Sequence, residues 1–61
     1  MPIVKVELLA GRTREQKAHA AREITAAVER CLGAKPGNTQ VLFQDIAKSD
    51  WATAGKLADE T

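Results

Sequence analysis

The first apolar stretch of the chain alternates. From Ile3 to Leu9, Val4, Val6 and Leu8 fall on one side by the two-residue period of a strand, and Ile3, Lys5, Glu7 and Leu9 on the other. The first set is uniformly apolar and suits packing against a helix. The second has apolar ends, which suits a surface that meets another subunit. Ala10-Gly11-Arg12 reads as a turn. Thr13-Arg14-Glu15-Gln16 then has the form of a capping box, with Thr13 at the N-cap and Gln16 reaching back from three residues on. Beyond it the period lengthens. Ala21, Ile24, Val28 and Cys31 recur at three- and four-residue steps among many alanines, and predict a helix from about Arg14 to Leu32 that approaches a sheet closely. On this pattern Cys31 is a small core residue. Arg14, Arg22, Glu23, Glu29 and Arg30 form a solvated face, and His19 is solvated as well. Gly33 stops the helix, and Lys35-Pro36-Gly37-Asn38 is loop chemistry.

Thr39 to Ile46 reads as a second strand, with Val41 and Phe43 on one face and Gln40, Leu42, Gln44 and Ile46 on the other. Strand, helix and strand make a β-α-β unit, so the strands are expected to run parallel with a right-handed crossover. One helix covers one face only. The bare face then carries Ile3, Leu9, Leu42 and Ile46, an apolar patch on an isolated chain. After Ala47 the signal weakens. Ala52-Thr53-Ala54-Gly55 suggests a tight turn or short hairpin beside Trp51, and Lys56 to Thr61 is polar and expected to fray. The fold class is α+β: a single β-α-β unit with parallel strands and a short C-terminal hairpin, one domain over residues 1–61, completed by oligomerisation.

Length points the same way. A chain of 61 residues buries too little of its surface to be comfortably stable alone, and such chains rely on disulfides, metals or self-association. Cys31 is the only cysteine and His19 the only histidine, so an internal disulfide is excluded and a metal centre has no ligand cluster. Self-association remains. A net charge of +1 with interspersed signs and almost no aromatic residues gives no support for nucleic-acid binding. No apolar run is long enough to span a bilayer, and the N-terminus lacks the regions of a signal peptide. A lone cysteine fits a reducing compartment, so the expected location is the cytoplasm.

The candidate chemistry lies at the N-terminus. If Met1 is removed, Pro2 becomes a free secondary amine on an ordered strand, with a nitrogen whose direction the ring fixes. Proline at position 2 is small enough for Met1 to be trimmed. While Met1 stays, the nitrogen is an amide and not a base. Pro2 also suits a strand start that donates no hydrogen bond, and Arg12 suits a solvated position before a helix.

Met1-Pro2-Ile3, Gly11-Arg12-Thr13 followed by Glu15-Gln16-Lys17, and Ala47-Lys48 with Trp51 before a glycine-containing hairpin resemble the 4-oxalocrotonate tautomerase family over essentially the whole chain. The resemblance implies dimers assembled into a homohexamer (a trimer of dimers), no cofactor and no metal. It implies keto–enol tautomerisation of 2-hydroxydienoates and related 2-oxo acids, with the N-terminal proline, here Pro2, as general base and acid. Arg12 matches an arginine that binds a substrate carboxylate. Leu9 matches an apolar wall residue. Trp51 stands where the family has an aromatic wall, a position that also suits subunit packing. Gln40 occupies the place of a second arginine supplied by a neighbouring subunit, and is otherwise an exposed strand residue. An amide cannot replace a guanidinium fork, so a monocarboxylic substrate becomes at least as plausible as a dicarboxylic one. The amine must have its pKa drawn down to work near neutral pH. An apolar pocket (Leu9, Trp51) and a neighbouring cation (Arg12) both act in that direction. A related subgroup hydrates haloacrylates with an acid where this chain has Thr53. Threonine does not activate water as a carboxylate does, which disfavours dehalogenation and leaves a weak hydratase open. The competing class is a non-catalytic oligomeric protein that binds small acids on the same scaffold.

Overall fold

A computed structural model describes residues 1–60. Strand β1 spans Ile3–Leu9, helix α1 Arg14–Leu32 and strand β2 Gln40–Ile46. The strands are parallel, with Ile3 beside Gln40, Val6 beside Phe43 and Leu9 beside Ile46. Two further hydrogen bonds extend the ladder past its ends: Gln40 N–H donates to Pro2 O at 3.0 Å, and Ala10 N–H to Ile46 O at 2.9 Å. β2 starts one residue later than its sequence pattern suggests. Thr39 instead closes the 3₁₀ turn Pro36–Asn38, donating from its N–H to Pro36 O and from its hydroxyl to Lys35 O.

The helix begins where the capping box sets it. Gln16 N–H donates to Thr13 Oγ1 at 3.0 Å, and Thr13 N–H to Gln16 Oε1 at 2.9 Å. It ends at Gly33, whose φ of 73° lets its N–H return to Glu29 O at 3.0 Å. Val4, Val6, Val41 and Phe43 face α1 and are half-buried; on the bare face Ile3 is 60% and Leu42 48% exposed. Leu9 and Ile46, which share that face, pair with each other and are half-buried.

One expectation fails at the far end of α1. Cys31 is exposed rather than part of a core, and Leu32 beside it is 71% exposed. A 19-residue helix is about 28 Å long, against about 23 Å for a seven-residue strand, so the last turn overshoots the sheet.

Past β2, a 3₁₀ turn at Lys48–Asp50 leads through Trp51 into the hairpin β3 (Ala52–Thr53) and β4 (Lys56–Leu57). Ala54 and Gly55 both have positive φ, the signature of a type I′ turn whose twist matches a two-residue hairpin. The segment expected to fray is tied down through Glu60. Ala58 N–H donates to Trp51 O, Leu57 N–H to the Glu60 carboxylate, and Glu60 N–H to Leu57 O. Thr61, the last residue of that expectation, lies outside the described residues.

Among the described residues none is fully buried. The Cα radius of gyration is 14.5 Å, where a compact chain of this length has about 10–11 Å. The accessible surface is 4744 Å², against about 3,900 Å² for a compact monomer of this mass. This is the shape of a protomer whose core lies between copies. No helix among the described residues is long and apolar enough to cross a membrane.

Candidate active site

Pro2 sits at the mouth of the sheet. It is half-buried, and the hydrogen bond from Gln40 N–H to its carbonyl fixes its backbone at the start of β1. Met1 ahead of it is 81% exposed, so the Met1–Pro2 bond stands in solvent. Gln40, exposed and paired with Ile3, lies at the same end.

Arg12 lies at the other end. Gly11, at φ 131°, turns the chain off β1 in a backbone region that favours glycine, and Arg12 follows immediately before the helix cap. The guanidinium is exposed and makes no ion pair among the described residues, which leaves it available to an anion. It borders a groove of about 320 Å³ between β1 and the first half of α1, with an apolar floor of Val6, Leu8, Ala20 and Phe43 and a polar rim of Arg12, Gln16 and Lys17. Gln16 is engaged in the cap, and Lys17 Nζ donates to Asp45 Oδ2 at 2.8 Å. That ion pair, partly exposed and worth about 0.2–1 kcal/mol, clamps α1 to β2 beside Leu8. The sequence holds a weak sign of it: Asp45 has the parity of Val41 and Phe43, and an acid on the helix-facing side calls for a basic partner.

Leu9 belongs to the Arg12 end of β1, and Trp51 enters past the corresponding end of β2, half-buried, its carbonyl accepting from Ala58 N–H. The five candidate residues therefore divide. Pro2 and Gln40 lie at the N-terminal ends of the strands, and Leu9, Arg12 and Trp51 at or beyond the C-terminal ends. Pro2 to Leu9 alone, seven steps of extended chain, spans about 23 Å. A small oxo acid is far shorter, so one protomer cannot hold it between its own Pro2 and Arg12. The arrangement offers a positioned nitrogen at one end and an unpaired cation with apolar neighbours at the other.

Comparison with known proteins gives this arrangement a context. A family model described as tautomerase enzyme matches residues 2–60. A probable tautomerase of Bacillus cereus is 43% identical over 61 residues, covering 98% of this chain and all of that one. A 2-hydroxymuconate tautomerase of Comamonas testosteroni is 35% identical over 60 residues, covering 98% and 95%. Among solved structures, a heterohexamer 4-oxalocrotonate tautomerase from Chloroflexus aurantiacus superposes with a TM-score of 0.92 at 27% identity, covering 98% of this chain and 97% of that one.

Proposed function

Because the chain belongs to the 4-oxalocrotonate tautomerase family of the tautomerase superfamily, we propose that it interconverts the enol and keto forms of 2-hydroxydienoates or 2-oxo acids, with Pro2 as base and acid once Met1 is removed. The observation that carries this reading is the placement of Pro2. Its backbone is held by the ladder and its ring is half-buried, while the nitrogen that would become the amine is left at the sheet's end.

The reaction is a proton transfer without net redox change. The neutral Pro2 nitrogen takes the enol hydroxyl proton, the oxygen's electron pair forms the carbonyl, and the displaced carbon–carbon π pair takes a proton back from the Pro2 ammonium. Arg12 of a neighbouring copy pairs with the substrate carboxylate and steadies charge developing on oxygen. Leu9 and Trp51 supply apolar walls that disfavour the ammonium. Gln40 offers an amide to a carbonyl or hydroxyl. Since an amide cannot fork a second carboxylate, monocarboxylic enols such as phenylenolpyruvate stand level with 2-hydroxymuconate. The assembly we take for this work is a homohexamer, a trimer of dimers, acting in the cytoplasm. The heterohexameric neighbour and the absence of any buried residue among those described support an oligomeric assembly. A single cysteine, Cys31, with no disulfide partner in the chain supports the compartment.

The test is a ketonisation assay on paired mono- and dicarboxylic enols, using protein whose intact mass shows loss of Met1. Turnover by the trimmed protein that Pro2→Ala abolishes is the expected result. Trimmed protein that binds small acids without turnover establishes the non-catalytic reading instead.

A further inference from the structure

The Lys17–Asp45 ion pair closes a ring of contacts around Arg12. On the strand side, Ala10 N–H donates to Ile46 O at 2.9 Å. On the helix side, Thr13 O accepts the Lys17 N–H at 3.1 Å, and the Lys17 side chain returns to Asp45 Oδ2 at 2.8 Å. Asp45 and Ile46 are consecutive, so the last two residues of β2 anchor both flanks of Gly11-Arg12. Between those flanks the chain has freedom to turn. Gly11 is at φ 131°, and the Arg12 guanidinium makes no ion pair among the described residues. We infer that Lys17 and Asp45 are positioning residues for Arg12, their ion pair holding this cation at a set place relative to Leu9 and Trp51. The inference rests on the proposed role of Arg12 as anchor for a substrate carboxylate.

Stability alone accounts poorly for the pair. Lys17 stands close to the positive end of the helix dipole, where a cation is disfavoured. Its side chain is 27% exposed and that of Asp45 43%, so solvent screens the attraction. The start of α1 is already fixed by a complete capping box. What the pair does supply is the one polar side-chain link between α1 and the sheet among the described residues. The apolar contact made by Val6, Leu8, Ala20 and Phe43 is non-directional and does not set the roll of the helix. A contact of 2.8 Å sets how far the first turn stands from the end of β2, and Arg12 moves with that turn through Thr13.

The same end of β2 positions the apolar walls. Leu9 is the register partner of Ile46. Past Ala47, Asp50 N–H donates to Ala47 O and Trp51 N–H to Lys48 O, which carries the placement on to Trp51. Anchor and walls are thus referred to one point, and the ion pair is the part of that frame that reaches the helix.

Binding of 3-phenylpropanoate, an unreactive monocarboxylate, and of 3-phenylpropanamide, its uncharged counterpart, tests this by NMR titration of the assembled, Met1-trimmed protein. Lys17→Met and Asp45→Asn should each weaken carboxylate binding about two- to fivefold, the range a partly exposed pair controls, and leave amide binding unchanged. The two variants change the local charge in opposite directions. A field acting on the anion would weaken binding in one and tighten it in the other, whereas loss of position weakens it in both. The charge swap K17D/D45K restores the pair and should bind the carboxylate as wild type does. In turnover, kcat/KM for an enol acid should fall in the same proportion, and on an Arg12→Ala background neither variant should lower the residual rate further. Tighter carboxylate binding by Asp45→Asn, equal losses for acid and amide, or losses that add to that of Arg12→Ala overturn the inference. Native mass spectrometry at matched concentration reports whether each variant stays assembled, and the charge swap keeps the test decisive if a single variant does not. Failure of the enzymatic reading shows separately: trimmed wild type that binds the acid without turnover retires that reading, while the binding comparison still decides the role of the pair.

Discussion

Two variants that are each impaired should recover activity when combined, if a site takes Pro2 from one copy and Arg12 from another. Pro2→Ala replaces a ring-fixed secondary amine with a freely rotating primary one. Arg12→Ala deletes the one cation beside the groove that has no ion-pair partner among the described residues. Loss of a charge-assisted contact of about 1.5–3 kcal/mol lowers kcat/KM by about 10- to 150-fold. The separation of about 23 Å along β1 then decides the result of mixing. In a two-fold pair, each of two sites draws Pro2 from one chain and Arg12 from the other. Random equimolar association makes half of the pairs mixed, and a mixed pair holds one intact site of its two, so about a quarter of wild-type activity returns. The assay is ketonisation of an enol acid by co-expressed or co-refolded chains, against each variant alone at the same total concentration. If both residues served a site within one chain, every site in the mixture would lack one of them. Activity no higher than the mean of the two single variants therefore refutes the shared site.

Other expected outcomes follow from the same geometry. Gln40→Arg should raise kcat/KM for a dicarboxylic dienol about tenfold more than for a monocarboxylic enol, one charge-assisted contact being gained; equal effects on both would show that Gln40 does not meet the substrate. In the pH profile of kcat/KM, activity should rise with pH as the Pro2 ammonium loses its proton, and Arg12→Gln should move that limb to higher pH because a nearby cation no longer disfavours the ammonium; an unmoved limb argues against their proximity. Thr13→Ala should cost about 1 kcal/mol in denaturant unfolding at fixed protomer concentration, since the Gln16 N–H loses its acceptor. Ala54→Asn should stabilise by about 1 kcal/mol, because asparagine tolerates the positive φ of 54° better than alanine; destabilisation would refute the turn assignment.

The elements were legible because each rests on local rules. Val4, Val6 and Leu8 alternate, Thr13 and Gln16 form a reciprocal cap, and Gly33 carries the helix stop, so β1 and α1 fall where the pattern places them. What the pattern missed depends on three-dimensional extent. The exposure of Cys31 follows from a helix longer than its sheet, which a stripe of apolar residues does not reveal. The Lys17–Asp45 pair joins residues 28 positions apart. The ordered tail depends on the Glu60 carboxylate returning to Leu57, a contact that composition alone reads as solvated polarity. The candidate site was named residue by residue, and Pro2 and Arg12 already fall at the two ends of one strand in the sequence; that Gln40 joins Pro2, and Trp51 joins Leu9 and Arg12, follows only from the β1–β2 register.

That division explains why Leu9 and Trp51 resist a single role. In a chain with a buried core, wall residues of a site and packing residues of the fold are separable sets. Here no described residue is fully buried, and the surface exceeds that of a compact monomer by about 800 Å². The apolar groups that order the protomer must therefore be covered by other copies. In the proposed assembly Pro2 would meet such a boundary at one end of β1, and Leu9 and Arg12 at the other. If Pro2 and Arg12 meet only across copies, whatever holds the copies together also sets the distance between base and carboxylate anchor. A substitution at Leu9 or Trp51 then changes assembly and pocket polarity together. Mass measured beside turnover, at several protomer concentrations, separates the two effects: a loss of activity that concentration restores belongs to assembly, and one that persists in the intact oligomer belongs to the pocket.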